Sequence, residues 1–489
     1  MRKKFALNLA ILIGANLLVK PFWIFGIDRV VQNTLGAASY GLFFAVFNYS
    51  LLFSVLLDVG LNNFNNRAVS RVQGRLPEYF GNLLLLKVLL AVVYFSLTFI
   101  AAWWNGFNAE KLQLLSLLLC NQILLTLILF FRSNLQALQL FKADSIISIT
   151  DRLLSIFFCG SIIWWGVTEL SIVSFILAQS AALLITCAIA GGIVATRAGW
   201  NFKIWSAKFR FKILKSTFPY ALLVLLMTIY ARIDAVLLES LLGTNGALQA
   251  GIYAASFRIF DAANQFGFLF STILLPMFAA NFKQQKSNED LVGFGLQGIT
   301  VFAVGVSVLC VVWAPYLLQI LYHQAGREWQ QVFVLTMLAF IPASYIYIMG
   351  TLLTAKGEIF TLCKISLAAV AFNFTANYIF IPQLGAVGSA ATALATNILV
   401  CVLHFVAVVS RTDIRFSLKF LGSLLAFTAV SFATCYAFSQ VVAASVLALV
   451  VSMGIIAILA LLLQVVPIHE LQKIIAGLNA RIVKRSNGA

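Results

Sequence analysis

The chain has 489 residues, is 62% hydrophobic and only 10% charged, and carries a net charge of +17. A soluble domain of this size could not keep so many apolar residues out of water, so soluble enzymes and nucleic-acid-binding modules are excluded as classes. The apolar stretches run about twenty residues and lack the strict alternation of a barrel strand, which predicts an all-α polytopic membrane protein.

The N-terminus resembles a signal peptide at first sight. Arg2, Lys3 and Lys4 precede an apolar run from Leu7 to Val19. Lys20-Pro21 interrupts that run, and Phe22-Trp23-Ile24-Phe25 stands where small cleavage-site residues would be needed. A retained first span is predicted. In chain order the hydropathy windows then give about fourteen spans. They lie at 6–27, 41–63, 82–104, 112–131, 146–166, 170–194, 217–240, 251–278, 293–314, 331–350, 362–381, 386–409, 418–438 and 443–463.

The basic residues orient these spans. With the N-terminus inside, Lys and Arg fall in inner segments except for Arg29, Lys111 and Arg327 outside and Lys20, Arg232 and Arg258 within spans. Such asymmetry is the positive-inside signature, and it places both termini on the cytoplasmic side. It also accounts for the net charge without nucleic acid, because the bases are spread over short loops.

The longest inner connection, 197–216, interleaves Trp200, Phe202, Trp205, Phe209 and Phe211 with six basic residues from Arg197 to Lys215. It suits a segment lying on anionic lipid, or a plain topology anchor. It separates a six-helix bundle at 1–196 from a second at 217–410. Two additional spans follow at 411–465. The tail at 466–489 spaces Ile468, Leu471, Ile475, Leu478 and Ile482 along one face of an amphipathic helix. The two bundles echo each other. Ile27-Asp28-x-Val30, Leu35-Gly36 and Tyr40-Gly41 in the first correspond to Ile233-Asp234-x-Val236, Leu242-Gly243 and Gly251-Ile252-Tyr253 in the second. This order predicts pseudo-symmetric halves.

The seven cysteines are scattered through the spans without a CxxC pair, and read as small core residues. His323, His404 and His469 are far apart, and His404 in its span reads as a packed, hydrogen-bonded residue. No metal-ligand cluster, phosphate-binding loop, DxD, HExxH or Ser/His/Asp set appears, so no catalytic residue, metal or cofactor is assigned.

Chemistry concentrates in charged residues inside the spans, where an ion costs at least a few kcal/mol and faces a partner or a wet cavity. Lys20 lies in the first span. Arg232 and Asp234 lie in the seventh, with Glu239 at its outer end. Arg258 and Asp261 lie in the eighth, three apart on one face. These residues predict a polar pathway. The alternative is internal neutralisation, with Arg258 pairing with Asp261 and Arg232 with Asp234 or Asp261. Intramembrane amides, including Asn373 and Asn377 four apart on one helical face, could hydrogen-bond hydroxyl groups. Asp58, near the inner end of the second span, is expected to pair with Arg67 or Arg71 or to cap the inner turn. Gly385, Ser389 and Ala393 lie four apart and let a neighbouring helix approach. Pro21, Pro219, Pro276 and Pro342 lie at or near spans, where proline kinks helices.

Several of these segments carry a family resemblance. They are Leu35-Gly36-Ala37-Ala38-Ser39-Tyr40-Gly41, Asp58-Val59-Gly60-Leu61, Arg67, Arg232-Ile233-Asp234, Gly251-Ile252-Tyr253-Ala254-Ala255, Pro276 and Ile381-Pro382-Gln383-Leu384-Gly385-Ala386-Val387-Gly388-Ser389-Ala390-Ala391. In this order the chain resembles the polysaccharide (O-antigen, Wzx-type) flippases of the multidrug/oligosaccharidyl-lipid/polysaccharide exporter superfamily. The resemblance implies a bacterial inner-membrane flippase that works by alternating opening of two bundles. Its passenger would be an undecaprenyl-diphosphate-linked oligosaccharide, moved from the cytoplasmic to the outer leaflet for cell-surface polysaccharide synthesis.

On that reading Lys20, Arg232 and Arg258 compensate the diphosphate, and Asn373 and Asn377 are further substrate-binding candidates. Asp234 and Asp261 orient the arginines or carry H+ or Na+ coupling. The expected partners are the lipid-linked oligosaccharide, membrane lipids, and a polysaccharide polymerase with its chain-length machinery. Two alternatives stay open. A cation-coupled multidrug exporter of the same superfamily would typically have about twelve spans and an acid where this chain has Lys20. A membrane-embedded polysaccharide polymerase would need a catalytic outer loop. Those loops here are short and hold Asp28, Arg29, Glu110, Lys111, Glu169, Arg327 and Glu328, with His323 nearby.

Overall fold

The computed structural model describes residues 19, 21–62, 64–65, 76–198, 207–463 and 465. Among them the secondary structure is helical, without strands, as expected where lipid offers backbone groups no hydrogen-bond partner. The first helices are α1 (Arg29–Leu52), α2 (Leu76–Trp104), α3 (Ala109–Ala137), α4 (Phe141–Trp165), α5 (Ile172–Ala198) and α6 (Ala207–Leu241). They are followed by α7 (Gly246–Lys283), α8 (Glu289–Val312), the short α9 (Ala314–Leu321), α10 (Arg327–Lys356), α11 (Ile359–Arg411), α12 (Leu418–Val441) and α13 (Val446–Leu462). A π-helical turn, Trp23–Asp28, leads into α1.

Eleven helices among the described residues are long and apolar enough to cross a membrane. Two of them each hold parts of two predicted spans. Trp23–Leu52 leaves helical geometry at Gly36 (φ 82), and α11 does so at Gly385 (φ 57), conformations that only glycine adopts at no steric cost. Helix α13 is a shorter apolar helix covering the last predicted span. Lys20, Arg67, Arg71, residues 199–206 of the basic connection and the tail at 466–489 lie outside the described residues.

The first span departs from its predicted limits. Asp28 and Arg29 were expected in an outer loop. Instead the chain stays helical from the π turn to Leu35, and Asp28 is buried. The second span departs at its inner end. Helix α1 stops at Leu52, and a 3-10 turn, Ser54–Leu57, carries the chain onward. Asp58 then caps the next turn by accepting from the Asn62 amide at 3.2 Å. Its cationic partner is Lys87, which also donates to the Leu57 carbonyl at 3.2 Å. Lys87, counted with the inner bases, lies inside α2 and is buried.

Two compact units divide the chain: Met1–Arg258 with Ser366–Ser389, and Ile259–Ile365 with Ala390–Ala489. The first has an aromatic and aliphatic core that includes Phe80, Leu83, Phe130, Leu135 and Val194. The second packs Val304, Val308, Phe427, Cys435 and Ile456 together. Within it, Trp313 donates to Ser452 at 3.1 Å, and buried His404 sets Nδ1 2.8 Å from the Val400 carbonyl. All seven cysteines are free. Pro219, Pro276, Pro342 and Pro382 sit inside helices that continue past them.

Within the first unit, α1 and α7 touch backbone to backbone. A Cβ on Gly41 would fall on Ala247 and Gly251, and one on Gly251 would fall on Ala37. Without hydrophobic drive between helices in lipid, such contact is how dispersion holds them together. The Gln32 side chain strengthens the crossing by donating to the Gly251 carbonyl at 2.9 Å. The small run beginning at Gly385 is approached by a side chain: Gln249 fills the space where a Cβ would be and accepts from the Ala386 amide at 2.6 Å.

Candidate functional site

Two charged clusters stand in the first unit, each built from helices distant in sequence. The first centres on Arg258 of α7. Its Nε lies 3.2 Å from a carboxylate oxygen of Asp28 and donates to the Tyr40 hydroxyl at 3.1 Å. The guanidinium carbon also lies 5.1 Å from the ring centre of Phe44 and 5.6 Å from that of Phe47. The Asp28 side chain is 3% exposed and the Arg258 side chain 15%. A buried carboxylate beside a guanidinium is stable only as a pair, and the rings of α1 fix the orientation of the arginine. Asp28 is the partner that the sequence did not offer. With Arg29 beside it at the predicted end of a span, it read as a loop residue, and only the helical continuation to Leu35 buries it.

The same aromatic wall continues away from Arg258. Tyr40 packs on Phe43, Phe43 on Phe175 and Phe175 on Trp23, with ring centres 5.5 to 6.0 Å apart. The Arg152 guanidinium of α4 caps the far end, 5.6 Å from the Trp23 ring. Sequence reasoning counted Arg152 with the inner bases, although the predicted span 146–166 already contains it. Helix α4 begins five residues earlier and carries Arg152 into its middle.

The second cluster centres on Asp234 of α6. One carboxylate oxygen accepts from Asn377 at 2.7 Å and Asn373 at 3.2 Å, and the other accepts from the Tyr253 hydroxyl at 2.9 Å. Asn377 also donates to Asn373 at 3.0 Å, and its own carbonyl oxygen is buried without a hydrogen-bond donor among the described residues. Asp234, Asn373 and Asn377 are all buried. This carboxylate is held by neutral donors, an arrangement that can host a proton or a small cation among oxygen atoms.

The predicted site residues therefore separate. Asp234, Asn373 and Asn377 come together, whereas Arg258 closes on Asp28. Arg232 stacks its guanidinium carbon 5.1 Å from the Phe257 ring centre, and Phe257 packs on Tyr253 of the Asp234 cluster. Asp261 belongs to the second unit and is partly buried. Lys20 lies outside the described residues. Glu239, the remaining charge of the seventh span, meets Lys111 at 2.5 Å. Among the described residues, no group of three or more His, Cys, Asp or Glu could hold a metal ion.

The family described as Polysaccharide biosynthesis protein matches residues 6–282, more than half of the chain. No curated protein matches the chain. Among solved structures, the chain is similar to the lipid II flippase MurJ in an inward closed conformation. The identity is 12%, 96% of this chain and 99% of that one are covered, and the TM-score is 0.72. It is also similar to an inward-facing multidrug resistance MATE family transporter of the MOP superfamily, at 14% identity, 83% and 97% coverage and TM-score 0.61. A third similarity is to a MOP superfamily transporter from Pyrococcus furiosus described as having a binding pocket of reverse polarity. There the identity is 15%, the coverage 83% and 94%, and the TM-score 0.60. At these identities the likeness is one of fold.

Proposed function

The chain belongs to the polysaccharide biosynthesis protein family, and from that membership we propose that it is a flippase for a lipid-linked oligosaccharide. The passenger is an oligosaccharide on undecaprenyl diphosphate. It moves from the cytoplasmic to the outer leaflet of a bacterial inner membrane by alternating access, with both termini of the transporter cytoplasmic. No covalent step is needed. The O-antigen class of glycan, and delivery to a polymerase with its chain-length machinery, follow from the same reading. The observation that carries it is the joint presence of the family match and of arginines fixed inside apolar helices. A diphosphate cannot cross hydrocarbon bare, and arginine offers forked donors that compensate it.

Coupling to H+ or Na+ belongs at Asp234 on this reading. Its carboxylate is surrounded by neutral donors, and the unsatisfied Asn377 carbonyl oxygen beside it supplies a further ligand for a cation. The same observation favours a second reading, cation-coupled multidrug export within the superfamily.

The test is a flipping assay in proteoliposomes with defined lipid-linked oligosaccharides, run against cationic dyes and with imposed Na+ or pH gradients. Flipping of the glycolipid supports the flippase. Dye efflux without glycolipid movement assigns the chain to drug export instead.

A further inference from the structure

We propose that Arg152, a residue outside the set of intramembrane charges legible in the sequence, receives the phosphate of the lipid-linked passenger. The proposal rests on the flippase reading and names the group within that site that meets the ligand.

Arg152 is deep in its helix. Helix α4 has 25 residues, so Arg152 stands about 16 Å from its start and near the middle of a rod of about 38 Å. It lies off the exposed apolar stripe of that helix, which Ile146, Leu153 and Phe157 form. Arg152 lies three and seven residues before Ser155 and Cys159, which share one face and are buried. The ring it stacks on, Trp23, is also buried.

Arg152 is nevertheless open. Its side chain is 40% exposed, against 15% for Arg258. Among the described residues its guanidinium forms no hydrogen bond. Its nearest acid is its chain neighbour Asp151, at 3.8 Å. Arg258, by contrast, is committed to Asp28 and Tyr40. Both arginines lie within electrostatic reach of Asp28, a single buried carboxylate. Asp28 closes on Arg258 and leaves Arg152 with its donors unused. A planar fork of free N–H groups, oriented by stacking on a fixed indole, is suited to a phosphate ester. Stacking on Trp23 spares the side chain part of the ordering cost that binding would otherwise exact.

The experiment measures binding of undecaprenyl diphosphate to the full chain in nanodiscs at several salt concentrations. Undecaprenyl monophosphate and inorganic pyrophosphate serve as comparison ligands. Wild type, Arg152→Gln and Arg152→Lys are compared, and thermal unfolding is followed in parallel. The expected result is at least a tenfold loss of affinity and a shallower salt dependence for Arg152→Gln with unchanged melting, and a smaller loss for Arg152→Lys. Affinity and salt slope equal to wild type in Arg152→Gln would overturn the assignment and leave the flippase reading standing. Equal losses in the Gln and Lys variants would also overturn it, because charge would then not be what binds. A wild type that binds none of the lipid phosphates removes the flippase reading together with the proposal. Should Arg152→Gln fail to fold, Arg152→Met takes its place: at least a tenfold loss of affinity with a shallower salt slope supports the role, and wild-type affinity and slope overturn it.

Discussion

Arg258 and Asp28 meet at 3.2 Å inside the first unit, one from α7 and the other from the π turn before α1. The pair ties the first described helical segment to the eighth predicted span. Neither residue is solvated enough to stand alone. Removing either partner should therefore cost about 3–5 kcal/mol, the range for stranding a buried charge. Asp28→Asn and Arg258→Gln are expected to lower thermal stability separately, and the double variant to recover much of the loss. A double-mutant cycle on melting in detergent checks this; strictly additive losses would contradict the pairing.

The crossing of α1 and α7 leads to a steric prediction. Backbone atoms occupy the positions where a Cβ of Gly41 or Gly251 would go. Gly251→Val must push the helices apart and break the Gln32 hydrogen bond to the Gly251 carbonyl. Overpacking of this kind costs typically about 1–3 kcal/mol. Gln32→Ala should destabilise the wild type and add little to Gly251→Val. Thermal unfolding of the two single variants and the double reads out the difference.

These contacts mark how far the sequence carries. Span type was legible because hydropathy acts locally, and the break at Gly385 falls where the predicted spans 362–381 and 386–409 meet. The shared face of Asn373 and Asn377 was legible from their spacing. Their joint target, Asp234, was not, because helix spacing says nothing about which face of α6 meets α11. Asp28 was misjudged for a related reason. A charge at the predicted end of a span reads as solvated, and only its distant partner Arg258 makes burial tolerable. Arg152 and Lys87 were counted with the inner bases because each lies within seven residues of the inner end of its hydropathy window, whereas helices α4 and α2 start earlier and carry them deeper.

The Lys87–Asp58 pair is asymmetric, which sets a direction. The Lys87 side chain is 1% exposed and that of Asp58 34%. Asp58→Asn leaves a buried ammonium without a countercharge, held only by neutral acceptors such as the Leu57 carbonyl. Lys87→Met leaves a carboxylate that water can reach. Asp58→Asn should thus be the more destabilising change, by about 1–3 kcal/mol on the scale of uncompensated polar burial. Melting of the two variants side by side tests the order, and a reversed order would mean that Lys87 is better solvated than its burial indicates.

Asp234 separates charge from structure most cleanly. Three neutral donors converge on its two oxygens, and the Asn377 carbonyl oxygen beside them has no donor. In Asp234→Asn the side-chain oxygen can go on accepting from Asn373 and Asn377, and the new NH2 can donate to the Tyr253 hydroxyl oxygen. Stability should change by no more than about 1 kcal/mol, whereas Asp234→Leu, which strands all three donors, should cost several times that. If Asp234 carries the coupling cation, Asp234→Asn will abolish the response of transport to an imposed Na+ or pH gradient while the protein melts near the wild-type temperature. Proteoliposome transport with and without the gradient measures this. A gradient response that survives in Asp234→Asn would leave the carboxylate a purely structural tie between α6, α7 and α11.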